Sequence, residues 1–371
     1  MESKINYDKI ADEKLAKWIV KQHFSNFSSA GIKELVEFYI GVYSSRPTSW
    51  MVIMARNMEV TQENAITMEE SPKLVRVPGM RRSKFLLSKS IASIVFNATR
   101  LSISEHEWRL RDVKLTIEDY YQILPLLKEL AQKGNLYPKV LQEKTGWNSE
   151  QVRACITVAS YEGILIRIPS TSIWSCRWSY KSIPNDFFGS YEKALADRDK
   201  FIMFLIRNYI ENYGPVRSED IVWWLGINKG QVTSLLKKID IVELSSGMWI
   251  GKKKKIEFEQ FIRTDWKEKD DIVRFLPAWD PFVMGYAPDS MQRACMGLHS
   301  VGAYDAFGNG KPIVLVGSKA VGTWEILRNG SKRELKLKLS NISESKHEIL
   351  KCAALDWSKR IGITYNVDDL V

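Results

Sequence analysis

Cysteine and histidine are scarce in this chain. Cys155, Cys176, Cys295 and Cys352, with His23, His106, His299 and His347, are the whole supply in 371 residues. Neither set contains a C-x-x-C pair or the short spacing that gathers zinc ligands, so no metal site and no disulfide framework is expected. There is no G-x-x-x-x-G-K-[ST] loop, no G-x-G-x-x-G, no H-E-x-x-H and no G-x-S-x-G. Nucleotide hydrolysis, redox and serine-hydrolase chemistry therefore lack support, and no cofactor is expected. No run approaches the ~20 apolar residues of a membrane span, and the charged N-terminus lacks the apolar segment of a signal peptide. The expectation is a cytoplasmic protein with no membrane partner.

What the chain does have is positive charge. Lysine and arginine number 54 against 44 aspartate and glutamate, a net charge of +10. That excess suits an anionic partner, nucleic acid before membrane; from charge alone, a soluble protein that is incidentally basic is an equal reading. With 45% hydrophobic and 26% charged residues the chain reads as folded, and its length allows two to four domains.

One pattern occurs twice. G-Φ-N-x-x-Q-V appears as Gly146-Trp147-Asn148-Ser149-Glu150-Gln151-Val152 and as Gly226-Ile227-Asn228-Lys229-Gly230-Gln231-Val232. Each Gly suits the left-handed position that ends a helix, each Asn can cap the next helix, and the Gln three residues on can reach back as in a capping box. Around the second copy, Arg198 to Tyr213, Ser218 to Leu225 and Lys229 to Lys238 read as helices. A hairpin from Ile241–Leu244 to Met248–Ile250 follows, turning at Ser245-Ser246-Gly247. Around the first copy the same plan reads as helices from Thr116 to Lys133, Tyr137 to Thr145 and Asn148 onward. Its hairpin runs through Ile164–Ile168 and Ile173–Tyr180. Three helices and a hairpin make a winged helix.

The N-terminal stretch fits a divergent third copy, with helices over Leu15–Phe24, Gly31–Tyr43 and Ser49–Arg56 and strands over Leu74–Val77 and Phe85–Leu87. After Lys255 the texture changes to short strands, with Asn329-Gly330 as a hairpin turn, alternation over Leu335 to Leu339, and a helix opened by Ser343. The expected fold class is α+β: winged helices at 1–110, 111–192 and 193–255, then a β-rich, barrel-like domain at 256–371. Lys252 to Lys255 reads as a solvated linker slightly ahead of a phosphate clamp.

Three sets of residues are candidates for function. Lys73, Arg76, Arg81, Arg82 and Lys84 crowd a short segment with no acid, which suits sequence-independent phosphate contacts; a solvated hairpin face is an equal reading. Helix 228–238 offers Lys229, Lys237 and Lys238, with Gln231 as a polar reader in a groove. Asp280 sits in Leu276-Pro277-Ala278-Trp279-Asp280-Pro281-Phe282. A carboxylate among aromatics can steer a water beside an extruded base. An Asp-Pro turn packing a core is the blander and favoured reading.

Taken in order, Tyr213-Gly214-Pro215, Trp224-Leu225-Gly226, Leu276-Pro277 to Gly285-Tyr286, and Val314 to Gly317 leading to Val321-Gly322-Thr323-Trp324 resemble a winged-helix family. That family includes the bacterial DNA glycosylases of the AlkZ and YcaQ type. The resemblance covers most of the chain. It implies three tandem winged helices and a β-barrel forming a clamp on double-stranded DNA; the chain is expected to work as a monomer, without a metal. It also implies excision of alkylated or crosslinked purines. The family's G-L-Q-Φ-Q-type motif falls on Gly41 to Pro47, where its glutamine positions are Tyr43 and Ser45. Its R-G-T-L-H stretch falls on Arg81-Arg82-Ser83-Lys84-Phe85. Tyr43, Ser45 and Asp280 are thus the candidate catalytic residues. The alternative is a non-catalytic DNA-binding regulator or lesion sensor, because Tyr43 and Ser45 stand where the family keeps glutamines.

Overall fold

The repeated turn is formed as its residues require. In the computed structural model of the protein, Gly146 and Gly226 end their helices at φ 70° and 72°. These are left-handed values that cost a residue with a Cβ about 1–2 kcal/mol. The Asn148 side chain accepts the backbone N–H groups of Glu150 and Gln151, and Gln151 returns a bond to the Asn148 N–H at 3.1 Å. Asn228 accepts the Gln231 N–H at 2.8 Å. The structure describes residues 7, 10, 12–25, 27, 31–45, 47–69, 73–134, 136–169, 172–184, 186–244, 247–264, 271–340 and 342–366.

The chain is α+β and divides into two units. The first comprises Met1–Tyr43, Thr48–Ala65 and Ile206–Val371; the second comprises Ser44–Pro47 and Ile66–Leu205. In the second unit, helix Ile117–Lys133 starts from a Thr116–Asp119 capping box. Helix Pro138–Thr145, the Gly146 turn and helix Ser149–Tyr161 follow, and strands Leu165–Pro169 and Trp178–Ser182 pair antiparallel from Leu165↔Ser182 to Pro169↔Trp178. The hairpin tip at 170–171 lies outside the described residues. Tyr120, Leu127, Leu141, Val152, Ile156, Ala159 and Leu165 close on one another as a single core. Each fully buried aliphatic side chain there contributes about 1.5–3 kcal/mol. Before this core come the antiparallel strands Leu74–Pro78 and Lys84–Ser88, close to their expected bounds. They are followed by the helix Lys89–Thr99, which the sequence reading does not contain.

In the first unit, helices Ser218–Leu225 and Lys229–Leu236 flank the Gly226 turn, and a two-residue ladder pairs Val242 with Ile250 and Glu243 with Trp249. The expected turn residues Ser245 and Ser246 lie outside the described residues. Lys252–Lys255 are not a linker: they open helix Lys252–Arg263, whose Phe258 and Phe261 pack on Trp18. Two aromatic residues three apart on one face supply the burial that holds the lysine-rich first turn helical.

The C-terminal sheet places its strands in the order Thr364–Tyr365, Lys332–Leu339, Lys319–Asn329, Ile313–Val316, Val273–Leu276. Its hairpin pairs as far as Asn329↔Lys332, so Gly330 and Ser331 turn the chain, one residue beyond the expected Asn329-Gly330. Helix His347–Arg360 packs Trp357 against Phe275 and Trp324.

The helix expected over Gly31–Tyr43 stops at Phe38. Ile40 and Gly41 both take positive φ, 54° and 97°, which ends the helix and leaves Val42–Tyr43 extended. That break carries the chain into the segment that holds Tyr43 and Ser45.

Candidate functional site

Asp280 is the N-cap of the short helix Pro281–Met284 and accepts the Phe282 N–H at 2.8 Å. It is fully buried, and so is the partner that claims it. The Arg56 guanidinium reaches both of its oxygens, Nη1 to Oδ2 at 2.8 Å and Nη2 to Oδ1 at 2.7 Å. The third Arg56 nitrogen, Nε, donates to the Tyr39 hydroxyl at 2.5 Å, and Tyr39 donates in turn to the His23 carbonyl at 2.8 Å. Phe24 and Tyr39 cover the guanidinium, each ring centroid 4.7 Å from its carbon. Burial alone would pull the Arg56 pKa down; Asp280, helped by Tyr39, more than reverses this and keeps it a cation. His23 stays neutral: burial, with Arg56 nearby, holds its pKa well below the usual imidazole value. Its Nε2 lies 3.3 Å from the Tyr286 hydroxyl, which donates to the Tyr213 carbonyl. Asp280 is thus a bound counter-charge at the centre of an aromatic core, with three of its acceptor positions filled.

The residue before it is different. Trp279 is half-buried and takes φ 55°, a strained value for a residue with a Cβ. Its N–H donates to the Gly310 carbonyl at 3.0 Å, which helps to hold that conformation. The ring is thereby stacked beside Tyr43, 28° from parallel with centroids 6.4 Å apart. Tyr43 is likewise half-buried. Two partly exposed, nearly parallel rings give a platform on which a flat heterocycle can stack. Ser45, half-buried, belongs to the second unit. The preceding Ser44 donates its N–H to the Lys84 carbonyl at 2.9 Å.

The basic segment separates into distinct settings. Lys73 and Arg82 are exposed, and Arg81 and Lys84 are half-buried. Arg76 is only 3% exposed and lies with its guanidinium 5.4 Å from the centre of the Trp178 ring, not on a solvated hairpin face. Arg81 and Arg82 are consecutive non-glycine residues at φ 50° and 54°. Strain of this kind persists where surrounding contacts over-determine it; here the Tyr161 hydroxyl donates to the Arg82 carbonyl, and the Gly79 N–H donates to the Ser83 carbonyl at 2.8 Å. Burial, reinforced by Arg167 and Arg109, pushes the Lys84 ammonium down to about 7.

On helix Lys229–Leu236 the inner face is Val232, Leu235 and Leu236, which leaves Lys229, Lys237 and Lys238 exposed and Gln231 half-buried. Lys229 pairs with Glu219 at 2.7 Å. Among the described residues no group of three or more His, Cys, Asp or Glu is arranged to hold a metal ion, and no helix is long and apolar enough to cross a membrane. Burial raises the Cys155 and Cys295 thiols to about 12, so neither is a thiolate nucleophile at neutral pH.

The sequence profile of DNA glycosylase AlkZ-like proteins matches this chain over residues 44–358. The chain belongs to the AlkZ-like DNA glycosylase family. Among solved structures it is similar to the Streptomyces sahachiroi DNA glycosylase AlkZ, with a TM-score of 0.71 and 14% identity, over 95% of this chain and 98% of that one. At that identity the likeness is one of fold. No curated protein sequence matches. The family assignment makes DNA the class of substrate. It does not itself assign a role to Tyr43 or Ser45. Arg56, Tyr39 and His23 carry no local sequence signal, whereas Asp280 is marked by its Asp-Pro setting.

Proposed function

We propose that this protein clamps double-stranded DNA as a monomer and hydrolyses the N-glycosidic bond of alkylated purines, crosslinked ones included. The observation that supports this most is the family match across residues 44–358. On this reading the two helix–helix–helix–hairpin segments and the divergent N-terminal one are winged helices, and the C-terminal sheet is a barrel-like wall. Lys73, Arg76, Arg81, Arg82 and Lys84, with Lys229, Gln231, Lys237 and Lys238, serve DNA binding. Arg76 contributes through its packing on Trp178.

The reaction asks little of the protein. A purine alkylated at N7 is already a cationic leaving group, so the chain's task is to hold the base and a water in line with C1′. The Tyr43 hydroxyl is the group proposed to steer that water, the Tyr43–Trp279 pair is the proposed stacking surface, and Ser45 is a further candidate site residue. Neither hydroxyl is a base at neutral pH, so the rate comes from positioning. Asp280 acts at a distance by fixing, through Arg56, the core from which Trp279 projects.

A second reading, a non-catalytic lesion binder, draws on the resemblance, which sets the hydroxyls of Tyr43 and Ser45 at the family's amide positions. Single-turnover excision on duplexes carrying 7-methylguanine, and on crosslinked duplexes, decides between them. Abasic product that disappears in a Tyr43→Phe, Ser45→Ala double variant supports the first. No abasic product at enzyme excess, with tight lesion binding retained, establishes the second.

A further inference from the structure

We propose that the second unit carries a preformed seat for one DNA phosphodiester, built by Lys84, Arg82, Arg109 and Arg167 around Tyr161. The inference rests on the reading that this chain engages duplex DNA, and it adds Arg109, Arg167 and Tyr161, which no motif singled out.

The four cations come from separate elements. Lys84 opens strand Lys84–Ser88, Arg82 lies in the strained turn before it, Arg109 is on helix Glu107–Arg111, and Arg167 is in strand Leu165–Pro169. They converge on the end of helix Ser149–Tyr161. Lys84 Nζ and the Arg109 guanidinium carbon lie 5.6 and 5.5 Å from the Tyr161 ring centre, and the Tyr161 hydroxyl holds the Arg82 carbonyl. Arg167 is half-buried with its guanidinium 5.1 Å from the Trp178 ring, whose surroundings also include Arg76.

No carboxylate pairs with Lys84, Arg82, Arg109 or Arg167 among the described residues, and Arg109 Nε and Arg167 Nε are buried without an acceptor. The nearby acids are committed elsewhere. Glu105 accepts from the Ser102 N–H and hydroxyl and interacts with Arg198 and Arg82 through charge alone, and Glu162 accepts from the Tyr120 hydroxyl and lies near Arg100. His106, wholly buried against Tyr161, offers no negative charge; burial and Arg109 drive its pKa down to about 4.

Burial, with the like charges of Arg167 and Arg109 beside it, lowers the Lys84 pKa to about 7, so the ammonium is held in a setting that disfavours its charge. Such an arrangement is unfavourable in the free protein and becomes favourable when a multi-oxygen anion enters. Guanidinium forks and an ammonium match the oxygens of a phosphate. Occupancy should raise the Lys84 pKa and take up a proton, so binding tightens as pH falls through about 7. The charged groups that act on Lys84 there are Arg167 and Arg109, and the Tyr161 ring lies beside it.

Two measurements test the seat. In the first, binding of a short undamaged duplex is followed by anisotropy across a salt series for the wild type, Arg109→Gln/Arg167→Gln and Arg167→Lys. Loss of one phosphate contact should reduce the slope of log K against log salt by about 0.9 in the Gln pair, with Arg167→Lys keeping most of it. In the second, thermal melting is compared in phosphate and chloride at matched ionic strength. Phosphate should raise the wild-type Tm, and the Gln pair should lose that rise. The variants Lys84→Met and Arg109→Gln/Arg167→Gln should melt at or above the wild-type temperature in chloride, because repulsion is relieved; a merely structural cluster would melt lower.

An unchanged salt slope in the Gln pair, or a lowered Tm for Lys84→Met, overturns the seat. A wild type that ignores DNA yet keeps a phosphate response lost in the Gln pair retains the seat and sinks the DNA reading. Excision that persists while neither slope nor phosphate response changes retains the DNA reading and sinks the seat.

Discussion

Replacing Asp280 with asparagine separates an anchor from a catalyst. In the native chain both carboxylate oxygens engage Arg56 at 2.8 and 2.7 Å, and Oδ1 also takes the Phe282 N–H. Neither side chain is exposed. The Asp280→Asn variant keeps the helix cap and nearly the same volume, so packing and capping change little. What it removes is the negative charge, leaving Arg56 an uncompensated buried cation. Breaking a buried pair from one side costs about 3–5 kcal/mol. For a unit of this size, 1 kcal/mol moves Tm by about 2–4 °C, so Asp280→Asn should lower the melting transition by roughly 6–20 °C. Arg56→Met/Asp280→Asn removes the stranded cation and should recover most of that loss, a coupling of about 2 kcal/mol or more. Calorimetry on the four proteins of the cycle measures it, with excision assayed at a temperature where all four are folded. A single variant that melts within about 1 kcal/mol of the wild type refutes the anchor. If that same variant were folded, stable and unable to excise, the carboxylate would be a catalytic group after all.

Other outcomes follow from the same geometry. His23 and His106 have folded pKa values below the unfolded value of about 6.5, His106 at about 4. The unfolded chain therefore takes up protons first. Stability is fully present above pH 6.5 and falls by about 1.4 kcal/mol per unit for each imidazole as pH drops below it; urea midpoints from pH 7.5 to 4.5 should show this, and His106→Phe should flatten the slope. Gly146→Ala and Gly226→Ala each place a Cβ at φ near 70° and should cost about 1 kcal/mol in chemical denaturation; a neutral result would mean the turn relaxes freely. On the proposed alignment of Tyr43 and Ser45 with an amide pair, Tyr43→Gln/Ser45→Gln should raise the single-turnover excision rate, whereas an unchanged rate would place the water elsewhere.

The local chemistry was legible in the sequence and the long-range pairing was not. Gly146, Asn148 and Gln151 form a turn whose geometry depends on residues within six positions, so their identity suffices to read it. The exit from the helix at Phe38 depends on Ile40 at φ 54°, which an isoleucine adopts only because its surroundings impose it. Arg56 and Asp280 are 224 residues apart, and a single chain offers no pattern that links them. Arg76 looked like its basic neighbours because charge along a strand does not reveal which face the core will cover. That depends on where Trp178 arrives, from a strand about a hundred residues later. The lysine run at Lys252 is opaque in the sequence for a related reason. Its charge suggests solvent, while the apolar contacts that hold its helix, Phe258 and Phe261 against Trp18, join stretches of one unit that are far apart in the sequence.

The order in which the chain is made gives the division into two units a kinetic meaning. The second unit is almost wholly contained within one uninterrupted stretch, Ile66–Leu205, whereas the first needs residues from both sides of that stretch. At about 5–20 residues per second of synthesis, Asp280 emerges roughly 10–45 s after Arg56, with which it must pair. During that interval the inserted unit can fold alone. The early segments, Trp18, His23, Tyr39 and Arg56 among them, wait with their apolar surface uncovered. A ribosome-bound nascent chain ending before Asp280 should therefore protect the inserted unit from protease and leave those early segments open to cleavage and to chaperone capture.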